Sequence, residues 1–150
     1  MRSDDESVAA KLPLLAGLPK EHLGQLLKGA YLQRFPAHVE LIRQGDPADF
    51  LHVVVEGQVE VYSHYRDRET TVAVIGPGAC FILAAVFLDR LYLKSARSLT
   101  PARLLLMPAS AVRDIFELDP GFARRLTAEL ALAYRSLVKE LNNQKLRSSL

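Results

Sequence analysis

The chain has 150 residues, with 49% hydrophobic side chains, 24% charged side chains and a formal net charge of +2. This composition is typical of one folded globular domain, and it excludes a disordered chain, a fibrous chain or a strongly basic nucleic-acid-binding chain. With a single cysteine and the acidic stretch Asp4-Asp5-Glu6 where a signal peptide needs positive charge, we expect a cytoplasmic protein that does not contact a membrane.

The sequence predicts a short flexible N-terminus followed by a helical region. We expect residues 1–10 to be a flexible N-terminus. Between residues 11 and 29, leucines recur at roughly helical spacing on both sides of Gly17-Leu18-Pro19. This spacing predicts two short helices.

Residues 31–75 have the pattern of a β-structure. Short runs rich in valine, tyrosine and isoleucine are divided by turn signals such as Gln44-Gly45-Asp46-Pro47, which predicts an antiparallel sandwich or barrel. Residues 51–55 and 58–63 flank Gly57, and we expect them to pair as a hairpin in which Gly57 supplies a positive φ. A further strand pair is expected over residues 92–98 and 102–108.

The C-terminal third returns to a helical period. Residues 109–118 predict a short helix, and Asp119 followed by Pro120 has the form of an N-cap before a second helix that reaches at least residue 142. This long helix has a stripe near heptad spacing and further apolar residues off that line. Either both sets pack on the parent domain, or one pairs with the same helix of a second subunit; we favour the homodimer, with the interface Leu126, Leu130, Ala133, Leu137 and Leu141.

The segment after Gly76-Pro77-Gly78 contains the most unusual pattern of the sequence. Residues 79–88 include no polar side chain. Such a run is either plain core or the lining of an apolar binding site.

Several motifs together resemble the N-terminal effector domain of the Crp/Fnr family of bacterial transcription regulators. These are "IRQGDPADFLHVVVEGQVEVY", "VIGPG" before the apolar run, "LLLMP" and the long helix that follows. The resemblance implies a mainly β fold with flanking helices: an antiparallel double-stranded β-helix, or jelly roll, of the cyclic-nucleotide-binding type. It places this roll at residues 11–118, a dimerisation helix at 119–146, and at 147–150 the start of a linker to a helix-turn-helix domain that binds DNA and is absent from this sequence.

The family's ligand segment departs from its nucleotide-binding form in this chain. Regulators of this family that bind cyclic AMP carry a Gly-Glu pair after the phenylalanine, whereas Phe81 is followed here by Ile82 and Leu83. The arginine that takes the phosphate aligns with Tyr92 from one anchor and with Lys94 from another. An unpaired buried charge costs about 2–5 kcal/mol, so a cyclic nucleotide is disfavoured, although Lys94 keeps that alternative open.

Within the family, the apolar run and "FLDRLY" look most like the Dnr/Nnr branch of nitric-oxide sensors, which are thought to use haem. The resemblance therefore implies a small-molecule or gas effector, with haem as the favoured cofactor and Lys94 or Arg90 as partners of its propionates. The candidates for iron ligands are His22 and Cys80. The effector pocket is predicted to be lined by Gly78, Cys80, Phe81, Ile82, Leu83, Val86, Phe87, Tyr92 and Lys94.

The sequence does not predict an enzyme. It has no Ser-His-Asp arrangement, no paired carboxylates in a plausible cleft and no P-loop, and its four histidines do not have metal-ligand spacing. The expected function is effector sensing and dimerisation in a transcription regulator. The alternatives are a cyclic-nucleotide-binding module and a dimerisation module that has no ligand.

Overall fold

A computed structural model describes residues 1–88 and 90–149 and shows a roll of two antiparallel sheets with helices packed on one side. The helices are α1 (Ser3–Ala10), α2 (Lys20–Leu27), α3 (Leu83–Leu88), α4 (Ala109–Leu118) and α5 (Pro120–Ser149). The strands are β1 (Tyr31–Phe35), β2 (Glu40–Ile42), β3 (Phe50–Glu56), β4 (Val59–Tyr65), β5 (Arg68–Ile75), β6 (Cys80–Phe81), β7 (Ser95–Ser98) and β8 (Ala102–Pro108). One sheet has the order β1-β8-β3-β6 and the other β2-β7-β4-β5, which confirms the mainly β roll with flanking helices.

The turn at Gly57 joins the two sheets, so the predicted hairpin is wrong. β3 pairs with β6 and β8, while β4 pairs with β5 and β7. Gly57 does have a positive φ of 88°, and a Cβ there would lie 2.3 Å from the carbonyl oxygen of Pro101. The expected pairing of residues 92–98 with 102–108 is wrong for the same reason, since β7 and β8 belong to different sheets. Alternation shows which side chains face a core, but not which strand supplies the hydrogen bonds.

The N-terminal end contains a helix, where we expected a flexible end. Residues 3–10 form α1, which is anchored by fully buried Ala9 and by Asp5, whose Oδ1 lies 3.2 Å from Nη2 of Arg103. The first of the two helices predicted between residues 11 and 29 is replaced by tight turns, in which the Leu12 carbonyl accepts from the amides of Leu15 and Ala16. The second predicted helix is confirmed as α2.

The apolar side chains form two cores, one on each face of the sheet that contains β3. The helix-side core lies between this sheet and the helices, and it includes Leu51, Val53 and Leu105. The roll-interior core lies between the two sheets, and it includes Val54 and Leu104. Alternation along β3 and β8 thus sends neighbouring residues into different cores.

The C-terminal helices begin where the sequence predicts. Oδ1 of Asp119 accepts a hydrogen bond from the amide of Phe122 at 2.9 Å and caps α5. α5 continues to Ser149, so the helix extends three residues beyond the predicted end at residue 146; residue 150 lies outside the described residues. No helix in the described ranges is both long enough and apolar enough to cross a membrane.

Candidate functional site

The apolar segment enters the fold through a tight turn beside β3. Gly78, with a φ of 90°, donates its amide to the carbonyl of Val54 at 2.8 Å, and the amide of Val54 donates to Ala79 at 2.9 Å. This exchange places β6 at the edge of the sheet, where His52 is opposite Phe81. Ile82 then turns the chain into α3 with a φ of 54°. A β-branched side chain is strained in that region, so Ile82 marks a bend that only tertiary contacts maintain.

The structure divides the predicted effector pocket between the two cores. Phe81, Tyr92 and the partly buried Ile82 belong to the roll-interior core. Four of the predicted lining residues instead face the helices in the helix-side core: Cys80, Leu83, Val86 and Phe87. For these four, the prediction of one continuous lining is wrong, because adjacent residues of β6 point to opposite faces of the sheet and α3 then packs on the helix side.

Tyr92 fastens the far end of this segment to the roll. Its hydroxyl donates to the carbonyl of Phe50 at 2.6 Å, and its backbone bonds to Gly45 and Asp46 at 2.8 Å each. Burial raises the pKa of Tyr92 to about 12, so the phenol stays protonated and acts as a donor. The Tyr92 hydroxyl is therefore already engaged within the protein.

Lys94 lies two residues further on and is half-buried. Burial lowers the pKa of its ammonium group, because the charged form loses hydration. The exposed Leu93 separates it from Tyr92 in the chain. Lys94 is thus a half-buried lysine, whereas Arg90, the other predicted partner of an anion, is exposed.

His52 is a site residue that the sequence analysis missed. It is 6% exposed and projects from β3 toward the roll interior, with ring centroids 5.3 Å from Phe81 and 6.5 Å from Tyr92. Its Nδ1 is the one buried side-chain nitrogen or oxygen without a hydrogen-bond partner in the part of the chain that the structure describes. Burial lowers the pKa of His52 to about 4, an effect that the Phe50 carbonyl opposes in part, so the ring is neutral near pH 7.

The two iron-ligand candidates lie outside this interior. Nδ1 of His22, on α2, is 2.9 Å from Oδ2 of Asp119, and this contact ties α2 to the cap of α5. Cys80 is buried in the helix-side core, where burial raises the pKa of its thiol to about 12. Across the described residues, no three His, Cys, Asp or Glu side chains are grouped so that they could hold a metal ion.

The predicted dimer stripe on α5 has two environments. Leu126 is fully buried in the helix-side core, so its assignment to an interface between subunits is wrong. Leu130 is partly buried against the same core. Beyond it the stripe reaches past the roll, and Ala133, Leu137 and Leu141 are exposed. The first half of this stripe on α5 therefore packs in the core of the same chain, and the second half is exposed to solvent.

The side chains between the site and α5 form a continuous path. The rings of Phe87 on α3 and Phe116 on α4 are 4.8 Å apart in an edge-to-face contact, and Nη1 of Arg113 donates to the Val86 carbonyl at 2.7 Å. α4 leads directly into α5 through Asp119. A displacement of α3 would therefore act on α4 and the start of α5.

Comparison with known proteins agrees with this architecture. A family model for the cyclic nucleotide-binding domain matches residues 32–119. The CRP-like cAMP-activated global transcriptional regulator of Mycobacterium tuberculosis is 24% identical over 131 residues, which is 87% of this chain and 58% of that relative. The chain thus spans less than two thirds of the length of this relative.

Solved structures show the same fold. The Catabolite Activator Protein of Thermus thermophilus has a TM-score of 0.71 and 26% identity, over 89% of this chain and 63% of that chain. The sensor domain of the transcriptional regulator DNR from Pseudomonas aeruginosa has a TM-score of 0.64 and 22% identity, over 97% of this chain and 92% of that chain. With more than half of its residues matched by the family model, the chain belongs to the cyclic nucleotide-binding domain family and has the architecture of Crp-like regulators.

Proposed function

We propose that this chain is the effector-sensing and dimerisation domain of a Crp/Fnr-type transcription regulator and that its signal is not a cyclic nucleotide. The observation that carries this proposal is the composition of the roll interior, where Phe81, Ile82 and Tyr92 lie in an apolar core. A ribose phosphate brings a negative charge and hydroxyl groups, all of which need partners when water is removed. The Tyr92 hydroxyl is already bonded to Phe50, which leaves half-buried Lys94 as the group suited to an anion.

Haem-linked sensing of nitric oxide is the finer form of this proposal, and the two predicted ligands do not fit it. A ligating cysteine acts as a thiolate, whereas burial holds the thiol of Cys80 protonated. His22 is paired with Asp119 in the helix layer. The proposal therefore specifies a small non-nucleotide effector and assigns no haem to His22 or Cys80.

Signal transmission and DNA binding complete the proposal. The exposed apolar side chains of α5 would pair with the same helix of a second copy, and the path from α3 through α4 would couple the roll to that pair. DNA would be bound by a domain beyond the part of the relatives that this chain spans. The chain acts as a binding module here, since the described site offers a neutral imidazole, a protonated phenol and apolar side chains, and these do not form a nucleophile with an activating base.

Calorimetric titration with cyclic AMP and cyclic GMP tests the nature of the signal. We expect no saturable binding of either nucleotide up to millimolar concentration. The variant Lys94→Met is the matched control, because it keeps the length of the side chain and removes the charge. Micromolar binding to the native chain that is lost in Lys94→Met would overturn the proposal and favour the nucleotide-binding alternative.

A further inference from the structure

We propose that the effector places one uncharged hydrogen-bonding group against Nδ1 of His52, so that His52 selects which molecules the roll interior accepts. The ligand class is a flat, mainly apolar molecule with a single hydroxyl or N–H group. This inference rests on the proposed function, because it concerns the signal that the roll would sense.

The first support is the position of the unpartnered nitrogen. His52 lies on β3 with Val54, on the face that looks into the roll interior, and it is 6% exposed. The rings of Phe81 and Tyr92 flank it with tilts of 39° and 73°. Buried polar atoms in folded proteins nearly always have a partner, so an orphaned one in this place needs an explanation.

A ligand group fits this nitrogen better than an ordered water molecule does. An ordered buried water makes about three hydrogen bonds, whereas the polar group beside the ring, the Phe50 carbonyl, already accepts a hydrogen bond from Tyr92. The Tyr92 hydroxyl donates to the Phe50 carbonyl at 2.6 Å, and Nδ1 is the single unsatisfied buried side-chain atom over the described ranges. One polar group on an otherwise apolar ligand matches one free nitrogen.

The charge of the ring limits the chemistry of that group. With its pKa lowered to about 4 by burial, His52 is neutral at physiological pH and does not attract a phosphate or carboxylate by charge. A neutral imidazole has one donor and one acceptor nitrogen, so a hydroxyl group, which can both donate and accept, satisfies Nδ1 in either tautomer.

A ligand in the interior would need space beside Phe81 and Tyr92. Phe81 and Tyr92 are 3% and 5% exposed, so these side chains must move to admit a ligand. Ile82 holds its bend at a strained φ of 54°, and Leu88, Leu91 and Leu93 on the same segment are exposed. The strained bend at Ile82 is the point at which a rearrangement that admits a ligand would begin.

The test compares phenol with toluene, two rings of similar shape that differ in the hydroxyl group. Dissociation constants are measured for the whole chain by NMR, with the ring resonances of His52 as the reporter in the native protein and methyl resonances of the roll interior in the variants. The variants are His52→Phe and His52→Leu, which remove the nitrogen, and His52→Asn, which keeps a polar atom near its place. His38→Asn is the matched control, since His38 is exposed and asparagine tolerates its φ of 64°.

We expect the native chain and His38→Asn to prefer phenol over toluene more strongly than His52→Phe does. The ratio of the phenol to the toluene dissociation constant should be about threefold to tenfold lower in these two proteins than in His52→Phe. His52→Asn should retain part of this preference. An unchanged ratio in both His52→Phe and His52→Leu, or no saturable binding of either probe to the native chain, would overturn the inference.

Cyclic AMP titrated into the same variants separates this inference from the proposed function. Tight nucleotide binding that is indifferent to His52 would overturn the non-nucleotide signal, whereas loss of the phenol preference alone would overturn only the role of His52.

Discussion

Replacing Leu137 and Leu141 together by alanine should weaken self-association of the chain. Both leucines lie on the half of α5 that reaches beyond the roll, where they are 36% and 50% exposed. The proposed two-fold pairing would bury these exposed parts on both copies. The double variant removes them without touching Leu126, which the core of the same chain needs.

The size of the expected loss of dimer stability follows from the exposed fractions of the Leu137 and Leu141 side chains. Full burial of a leucine side chain contributes about 1.5–3 kcal/mol, and alanine retains a small part of that. Burial of the exposed fractions of the two leucines would contribute about 1.5 kcal/mol per subunit to the free energy of dimerisation, and about 3 kcal/mol per dimer. Since each 1.4 kcal/mol changes a dissociation constant tenfold, we expect the dimer to dissociate about a hundredfold more readily.

Sedimentation equilibrium over a wide range of protein concentrations measures this effect. Leu132→Ala is the matched control, because Leu132 is 61% exposed on the same helix but lies roughly opposite to Leu141 at about 100° per residue. The control should dimerise like the native chain. A native chain that stays monomeric, a double variant that associates as before, or an equal loss in Leu132→Ala would refute the reasoning.

Three further perturbations test the fold and the site. Gly57→Ala should lower the free energy of unfolding in urea by more than about 2 kcal/mol, because the new Cβ meets the Pro101 carbonyl at 2.3 Å and the positive φ is unfavourable. Hydrogen bonds from the Phe122 amide and then from His22 lower the pKa of Asp119 from its ordinary 3.8. The contribution of this carboxylate to stability is therefore present above pH 3.8 and is lost as the pH falls through the folded-state pKa. In urea unfolding between pH 2 and 7, the midpoint of Asp119→Asn should fall less at acid pH than that of the native chain. Cys80, with a thiol pKa raised to about 12, should react with a disulfide reagent at pH 8 more than a hundredfold slower in the native chain than in urea.

Each of these has a result that contradicts it. Gly24→Ala is the control for the first, since Gly24 is on an exposed helical position with open space around it, and alanine should be neutral or stabilising by about 0.5–1 kcal/mol there. An equal loss of unfolding free energy in Gly24→Ala and Gly57→Ala would contradict the close contact between residue 57 and the Pro101 carbonyl. An acid loss that is identical in Asp119→Asn would remove the role of that carboxylate, and rapid native labelling of Cys80 would show that the helix-side core is open.

The helices at the C-terminal end and the approximate positions of the strands could be predicted because their signals are local. Asp119 before Pro120 marks the start of α5, and alternating valines mark β3 and β4. The partners of these strands could not be predicted, since β3 hydrogen-bonds to β8 some 50 residues away, with Val53 opposite Leu105. Such long-range pairing depends on the whole chain and leaves no mark within a short window.

The candidate site was predicted only as a segment. The apolar run does contribute Phe81 to the roll interior, but its neighbour Cys80 points to the other side of the sheet, a consequence of strand geometry over just two residues. His52 was missed although its sequence signal exists: in "LHVVV" it alternates with Leu51 and Val53 and shares a face with Val54. An ionisable residue on the inward face of a strand is unusual enough to be noticed before a structure is known.

The pairing of β1 with β8 has a consequence for how the chain is made. Tyr31 lies opposite Leu106, so β1 has no strand to pair with in its sheet until β8 has left the ribosome. During synthesis the early strands therefore present open edges for the time needed to add some 75 residues, which is when strand edges recruit other nascent chains. Slower elongation over the region between these two strands should lower the yield of folded protein, and a chaperone that shields β1 should restore it.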